Sequence, residues 1–209
     1  MKTADIKIVA FDCDGVLFDT ETANRAYYNE ILQRMGLPEV TDEQFEYVHM
    51  HTVDASLAFL CGEDRLNEAH EHRKQTGYAP FIQYMKKAPG LDELLDRIAG
   101  RYHIAIATNR SNTMNRVLST HGLAGRFSPV VTALDVPNPK PAPDQLHKIL
   151  DYFRAAPGEM LYVGDSELDA AAAGAAGVPF IAYNNPDLPA NWYVTTMDEL
   201  RTLLRGNSA

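Results

Sequence analysis

Ile6-Lys7-Ile8-Val9-Ala10-Phe11-Asp12-Cys13-Asp14-Gly15-Val16-Leu17-Phe18-Asp19-Thr20 begins as an apolar, β-branched run and then reaches two aspartates one residue apart, followed at once by glycine. Such a run reads as a strand buried on both faces, and Gly15 permits the sharp turn that ends it. Side chains alternate along a strand, so Asp12 and Asp14 leave on one side and Cys13 on the other. Two carboxylates converging at the end of a buried strand repel each other unless a cation or a shared proton intervenes. The plainer alternative makes one of them a cap for the next turn and the other a solvated acid, since Asp is common in turns.

Outward from this strand the pattern is helical. Ala23, Tyr27, Ile31 and Met35 recur at helical spacing and Gly36 stops them. Thr41 with Gln44 reads as a capping box, Asp54 as the cap of a helix over 55–60, and 63–75 as a polar helix. Pro80 suits the first turn of a helix holding Phe81, Ile82 and Met85. No strand is expected between residues 19 and 87. Pro89-Gly90 marks a change to alternation: helix 91–99, strand 103–107, a helix capped by Ser111, strand 130–132, helix 143–153, strand 160–163, an Ala-rich helix closed by Gly177, strand 178–183, strand 193–194 and helix 197–204. This predicts an α/β fold, a parallel sheet with helices on both faces, and an inserted all-helical segment. The expected division is a core of 1–18 and 88–209 and a helical domain of 19–87. In such sheets ligands bind beyond the carboxyl ends of the strands, where Asp12, Thr108 and Asp165 fall.

Composition narrows the function. A net charge of -9 argues against a nucleic-acid or membrane-surface partner, though a local pocket can still take an anionic small molecule. Two cysteines, Cys13 and Cys61, make no disulfide framework and fit a reducing, cytoplasmic setting. Asp5 and Lys7 interrupt the only short apolar run near the start, so no signal peptide is expected, and no stretch is long enough to span a bilayer. Oligomeric state is not fixed by the sequence.

Four short motifs follow in order: Asp12-Cys13-Asp14-Gly15-Val16-Leu17-Phe18-Asp19-Thr20, Thr108-Asn109, Lys140-Pro141-Ala142-Pro143-Asp144, and Gly164-Asp165-Ser166-Glu167-Leu168-Asp169. With them the chain resembles the haloacid dehalogenase superfamily, in the subgroup with a small helical cap after the first strand, and within it the phosphoglycolate phosphatase group. The resemblance implies a Rossmann-like core and Mg²⁺-dependent hydrolysis of a small phosphorylated metabolite. It also makes the backbone carbonyl of Asp14 a metal ligand and Lys140 the basic residue of the third motif.

The residue types suit that chemistry. Phosphate-ester cleavage needs a nucleophile, an acid for the leaving oxygen and positive charge around the transferring group. Asp12 can attack phosphorus and Asp14 can protonate the leaving alkoxide, then deprotonate water. Asp12 and Asp165 can hold a hard cation such as Mg²⁺. Asp169 is either a further ligand, a group that orients metal-bound water, or a first-turn acid favoured by the helix dipole. Thr108 can donate its hydroxyl to a phosphate oxygen, and the amides at Asn109 and Arg110 can do likewise. Arg110 can also contact phosphate or leaving group. Lys140 supplies positive charge to nucleophile and phosphate. His49-x-His51 and His70-x-His72 have the wrong spacing for ligand pairs on a helix, though His49 or His51 could touch substrate.

Three other readings are weighed. A dehalogenase is disfavoured by the acid at position 14. A β-phosphoglucomutase-like mutase would carry an acidic residue at Gly164. A non-catalytic phosphate-binding protein would not need the full set of Asp12, Asp14, Thr108, Lys140 and Asp165. The family's cap loop often offers Arg or Lys to a second anionic group of the substrate, but residues 46–60 contain neither, which counts against phosphoglycolate itself.

Overall fold

The computed structural model describes residues 6–50 and 53–205. β1 (Ile8–Phe11) is buried along its whole length, as its unbroken apolar run requires. The chain turns at Gly15, whose φ of 82° suits glycine, and enters β2 (Phe18–Asp19). Helices α1 (Glu21–Arg34), α2 (Asp42–Met50), α3 (Val53–Cys61) and α4 (Leu66–Thr76) come next, then a 3-10 segment over Ala79–Tyr84. β3 (Lys86–Lys87) pairs antiparallel with β2. Beyond it run α5 (Leu91–Ile98), β4 (His103–Ala107), α6 (Met114–Thr120), β5 (Val130–Val131), α7 (Asp144–Phe153), β6 (Met160–Gly164), α8 (Glu167–Ala176), β7 (Phe180–Tyr183), β8 (Trp192–Val194) and α9 (Met197–Arg205). No helix among the described residues is long and apolar enough to cross a membrane.

The main sheet has the order β5-β4-β1-β6-β7-β8, with every pairing parallel. Ile8 lies opposite His103 on one side and Met160 on the other, so β4, β1 and β6 end nearly level. The chain builds outward from β1 through β4 to β5, then crosses back to place β6 on β1's other flank. That reversal makes the carboxyl end of β1 a topological switch point. One face of the sheet, with Ile8, Ala10, Ala105, Ala107, Met160 and Tyr162, packs under α7 and α8 in a single apolar cluster. The alanines of α8 (Ala172, Ala173, Ala176) are buried in that cluster. α5 and α9 are strongly amphipathic and bury Leu91, Leu94, Leu95 and Ile98, and Met197, Leu200 and Leu204.

Two compact units result: Met1–Asp19 with Lys86–Ala209, and Thr20–Met85. Within the second, Tyr27 sits edge-on to Tyr78 and Phe81 at 5.1 and 5.5 Å between ring centroids, so it is a core residue of that unit. The capping box at Thr41 is present, with Gln44 N–H donating to Thr41 Oγ1 and Thr41 N–H to Gln44 Oε1.

Several local expectations are corrected. Segment 79–84 is 3-10 rather than α. β2 and β3 replace what reads as strand-free sequence; two residues each give no periodicity to detect. Asp54 lies inside α3, which already includes Val53, and its carboxylate accepts from Arg73 instead of capping. Ser111 caps nothing, because α6 begins only at Met114 after Thr113. The intervening residues 109–113 form a loop in which Asn109 bonds to the backbone of Lys140 and Arg110 to Asp14.

Candidate active site

Asp12 follows β1, Thr108 follows β4 and Asp165 follows β6, so three adjacent parallel strands deliver all three to one edge of the sheet. Lys140 reaches this edge from the loop before α7. Its side chain is 3% exposed, and Nζ donates to Asp12 Oδ1 at 2.7 Å, Asp169 Oδ1 at 2.5 Å, the Tyr162 hydroxyl oxygen at 2.9 Å and the Ala107 carbonyl at 3.2 Å. An ammonium buried this deeply persists only among such acceptors, and the two carboxylates hold its pKa above the ordinary lysine value despite burial.

Asp169 is fully buried at the start of α8, and both its oxygens are filled. Oδ1 accepts from Lys140 and, at 2.6 Å, from the Tyr162 hydroxyl. Oδ2 accepts from Ser166 Oγ at 2.5 Å and from the backbone N–H groups of Ser166 and Asp165 at 3.1 and 3.3 Å. Although burial opposes its charge, Lys140 and these donors hold its pKa below the ordinary value. Asp165 is the opposite case. Among the described residues nothing donates to its carboxylate, and burial, with Asp12 and Asp169 adding repulsion, pushes its pKa to about 8. Asp12 likewise has Oδ2 without a donor among the described residues, and burial raises it to about 7 against the pull of Lys140.

These features test whether a cation fits. Asp12, Asp165 and Asp169 bring one oxygen each within 4.8 Å of one another, the one such group found among the described residues. With Asp14 they carry four negative charges against the two positive charges of Lys140 and Arg110, so the ionised set is short by two. A divalent cation on oxygen ligands matches both the deficit and the open oxygens of Asp12 and Asp165. The set fits Mg²⁺, and the donor-filled oxygens of Asp169 place that residue behind Lys140.

Asp14 is the more exposed acid, 38% at its side chain, and Arg110 holds its Oδ1 through Nε at 3.1 Å and Nη2 at 2.6 Å. Arg110 Nη1 in turn donates to Thr113 Oγ1 at 3.3 Å. The Arg110 backbone N–H donates to Thr108 Oγ1 at 3.2 Å, so this amide is directed at Thr108. Asn109 grips the backbone of Lys140 at both ends: Nδ2 donates to the Lys140 carbonyl at 2.9 Å, and Lys140 N–H donates to Oδ1 at 3.1 Å. The side chains of Asn109 and Arg110 therefore engage Lys140 and Asp14.

Three contributors escaped the sequence reading. Tyr162, in mid-strand, ties Lys140, Asp169 and the Ala107 carbonyl together. Gln145, fully buried in α7, donates to the Thr108 carbonyl at 2.6 Å. Asn185, just after β7, donates to the Asp165 carbonyl at 2.9 Å. Two glycines are sterically required. A Cβ at Gly15 would lie 1.9 Å from Asp165 Oδ2, and one at Gly164 would lie 2.4 Å from the Asp169 Cβ. His70 and His72 stand in α4, each near one carboxylate, at 3.8 Å from Asp54 and 3.9 Å from Glu68. His51 and the side chain of His49 lie outside the described residues.

The family model for haloacid dehalogenase-like hydrolases matches residues 9–183. A phosphoglycolate phosphatase of Chromobacterium violaceum is 31% identical, over 98% of this chain and 99% of its own. One of Vibrio cholerae is 33% identical, over 82% and 81%. A crystal structure of a subfamily IA hydrolase of the same superfamily, from Geobacter sulfurreducens, is 40% identical with a TM-score of 0.87, covering 96% of this chain and 97% of that one. A β-phosphoglucomutase from Clostridium difficile shares the fold, at 18% identity and a TM-score of 0.76. With strand order, site geometry and family match in agreement, this chain belongs to the haloacid dehalogenase-like hydrolases.

Proposed function

We propose that the protein is a Mg²⁺-dependent phosphatase of small phosphomonoesters, working through a phosphorylated Asp12. One observation carries this reading: Asp12 and Asp165 keep open carboxylate oxygens at the switch point, while Lys140 is fixed against Asp12 by Asp169 and Tyr162. Asp12 and Asp165, with the backbone carbonyl of Asp14, would hold the ion. Mg²⁺ when bound supplies the missing positive charge beside the nucleophile and the phosphoryl oxygens.

The chain's own groups then divide the work. An Asp12 oxygen bonds to phosphorus as the ester oxygen leaves, and Asp14 gives that oxygen its proton. Asp14 next takes a proton from water, which attacks the same phosphorus and frees Asp12 and inorganic phosphate. Arg110 on Oδ1 leaves Asp14 Oδ2 for both transfers. Lys140 and the Thr108 hydroxyl stabilise the charge that develops on the phosphoryl oxygens. Asn109 acts by holding the Lys140 backbone, and Asp169 by holding its ammonium.

Residues 20–85 serve as a cap that keeps bulk water from the phosphorylated intermediate. The substrate is a small metabolite, neither nucleic acid nor membrane lipid, and the two free cysteines suit a reducing cytoplasm. A mutase role is disfavoured by Gly164, because an acidic side chain there would collide with Asp169 as it now holds Lys140. The testing experiment is phosphate release from a panel of phosphomonoesters that includes phosphoglycolate, with and without Mg²⁺. Release that depends on Mg²⁺ and disappears in Asp12→Asn supports the reading; release without Mg²⁺, or retained in the variant, overturns it.

A further inference from the structure

Gln145 is the second residue of α7 and is fully buried, on the helix that also buries Leu146, Ile149 and Leu150. A buried amide is tolerated only where its donor and its acceptor are engaged. Here Nε2 donates to the Thr108 carbonyl at 2.6 Å, and Oε1 accepts the Lys140 backbone N–H at 3.4 Å. The carboxamide thus joins the end of β4 to the loop that carries Lys140. Leucine would fill such a position without needing partners, so the amide is placed for what it joins.

Asn109 makes the same link from the other side. Its Oδ1 shares the Lys140 N–H at 3.1 Å, and its Nδ2 donates to the Lys140 carbonyl at 2.9 Å. The two carboxamides, the Thr108–Asn109 peptide and the Lys140 N–H therefore close a ring of bonds. Thr108 is held at two further points: its N–H donates to the Val131 carbonyl at 3.0 Å, and its hydroxyl oxygen accepts the Arg110 N–H at 3.2 Å. Accepting that bond leaves the hydroxyl proton to be donated. The Lys140 loop is fastened to the first turn of α7 a second time, where Asp144 Oδ2 accepts from the Asn138 N–H at 3.2 Å and from Asn138 Nδ2 at 3.1 Å. Thr108 and Lys140 are both buried, so bonds of this kind rather than solvent set their aim.

We propose that Gln145 is a positioning residue for phosphoryl transfer: it fixes the Thr108 hydroxyl relative to the Lys140 ammonium, so that both donors meet the same developing charge. This rests on the phosphatase reading, in which Thr108 and Lys140 stabilise the phosphoryl oxygens. Donors held in advance favour the transition state over bound substrate, because their bonds strengthen as charge develops. No bond among the described residues joins Gln145 to Asp12, Asp14 or Asp165; its own partners are Thr108 and Lys140. Its loss should therefore spare the cation site and the acid.

The test is calorimetric titration of vanadate, an analogue of the pentacoordinate phosphoryl group, into the full-length protein with Mg²⁺, beside steady-state phosphate release. In Gln145→Met, vanadate affinity and kcat are expected to fall together by at least tenfold, with KM and Mg²⁺ affinity within about threefold of the unsubstituted protein. Alkyl and nitrophenyl phosphates should lose rate equally, because Thr108 and Lys140 act on the phosphoryl oxygens and not on the leaving oxygen. Gln145→Leu guards against one variant failing to fold, and both are compared per folded molecule by circular dichroism. An amide needed only for folding would lower Tm yet leave the vanadate affinity of the folded protein unchanged, and that result overturns the proposal. A loss confined to KM, or an unsubstituted protein that binds no vanadate, overturns it as well. An unsubstituted protein that releases no phosphate defeats the phosphatase reading alone, while vanadate affinity still decides the role of Gln145.

Discussion

Replacing Asp169 with Asn separates two roles that a carboxylate near a metal site can play. In the structure its oxygens accept from Lys140, Tyr162, Ser166 and two backbone N–H groups, and the residue is fully buried. Asparagine keeps the shape but turns one acceptor into a donor and removes the charge that faces Lys140. Breaking a buried ion pair costs about 3–5 kcal/mol, and Lys140 retains Asp12, so the low end, about 3 kcal/mol, applies. For a chain of this size that corresponds to a fall in Tm of roughly 6–12 °C, readable by circular dichroism. Turnover should fall at least a hundredfold as Lys140 loses its fixed position. Mg²⁺ affinity, measured by titration calorimetry at pH 8.5, should change by less than threefold. A loss of tenfold or more in Mg²⁺ affinity with Tm preserved would refute the reasoning, because it would make Asp169 a ligand rather than the group that positions Lys140.

The remaining expectations concern the ion, the acid and the glycines. Asp165 at about 8 and Asp12 at about 7 are raised above their ordinary values, so protonated forms persist in the fold where the unfolded chain is ionised. That stabilisation is complete below about pH 4 and is lost as pH rises to about 8, while Mg²⁺ competes with the same protons. The Tm gain on adding Mg²⁺ should therefore be large at pH 8.5 and nearly absent at pH 5; a gain independent of pH would place the ion elsewhere. In Asp14→Asn, turnover of an alkyl phosphate should fall at least tenfold more than turnover of nitrophenyl phosphate, whose leaving group needs no proton. Equal losses would deny Asp14 the acid role. Gly164→Glu should lower Tm and phosphatase turnover together, since its Cβ alone meets Asp169 at 2.4 Å; a stable, active variant would show that Asp169 can move freely.

The parts of the molecule legible in the sequence were those built from contiguous chain. β1, β4 and β6 are buried runs bounded by turn residues, and the motif residues stand at their carboxyl ends, so strand order alone brings Asp12, Thr108 and Asp165 together. What the sequence concealed depends on pairs far apart in the chain. Tyr162 reads as one more apolar strand residue, because its hydroxyl finds Lys140 only across 22 positions. Asn109 reaches Lys140 across 31 positions, and Arg110 reaches Asp14 across 96, so no local pattern distinguishes a positioning side chain from one that contacts substrate. Ser111 illustrates the reverse error. Its type favours a cap, but the loop is held open by the tertiary contacts of its neighbours Asn109 and Arg110, and α6 starts later.

The most direct test of the central claim is to catch the phosphorylated side chain. Turnover of a good phosphomonoester in Mg²⁺ is quenched with acid within one cycle, and borohydride then reduces any acyl phosphate to the alcohol. Peptide mass spectrometry should find homoserine at position 12 and at no other aspartate, with none formed when substrate is omitted. Turnover that proceeds with Asp12 unmodified, or with the label on another residue, would contradict the assignment of Asp12 as nucleophile.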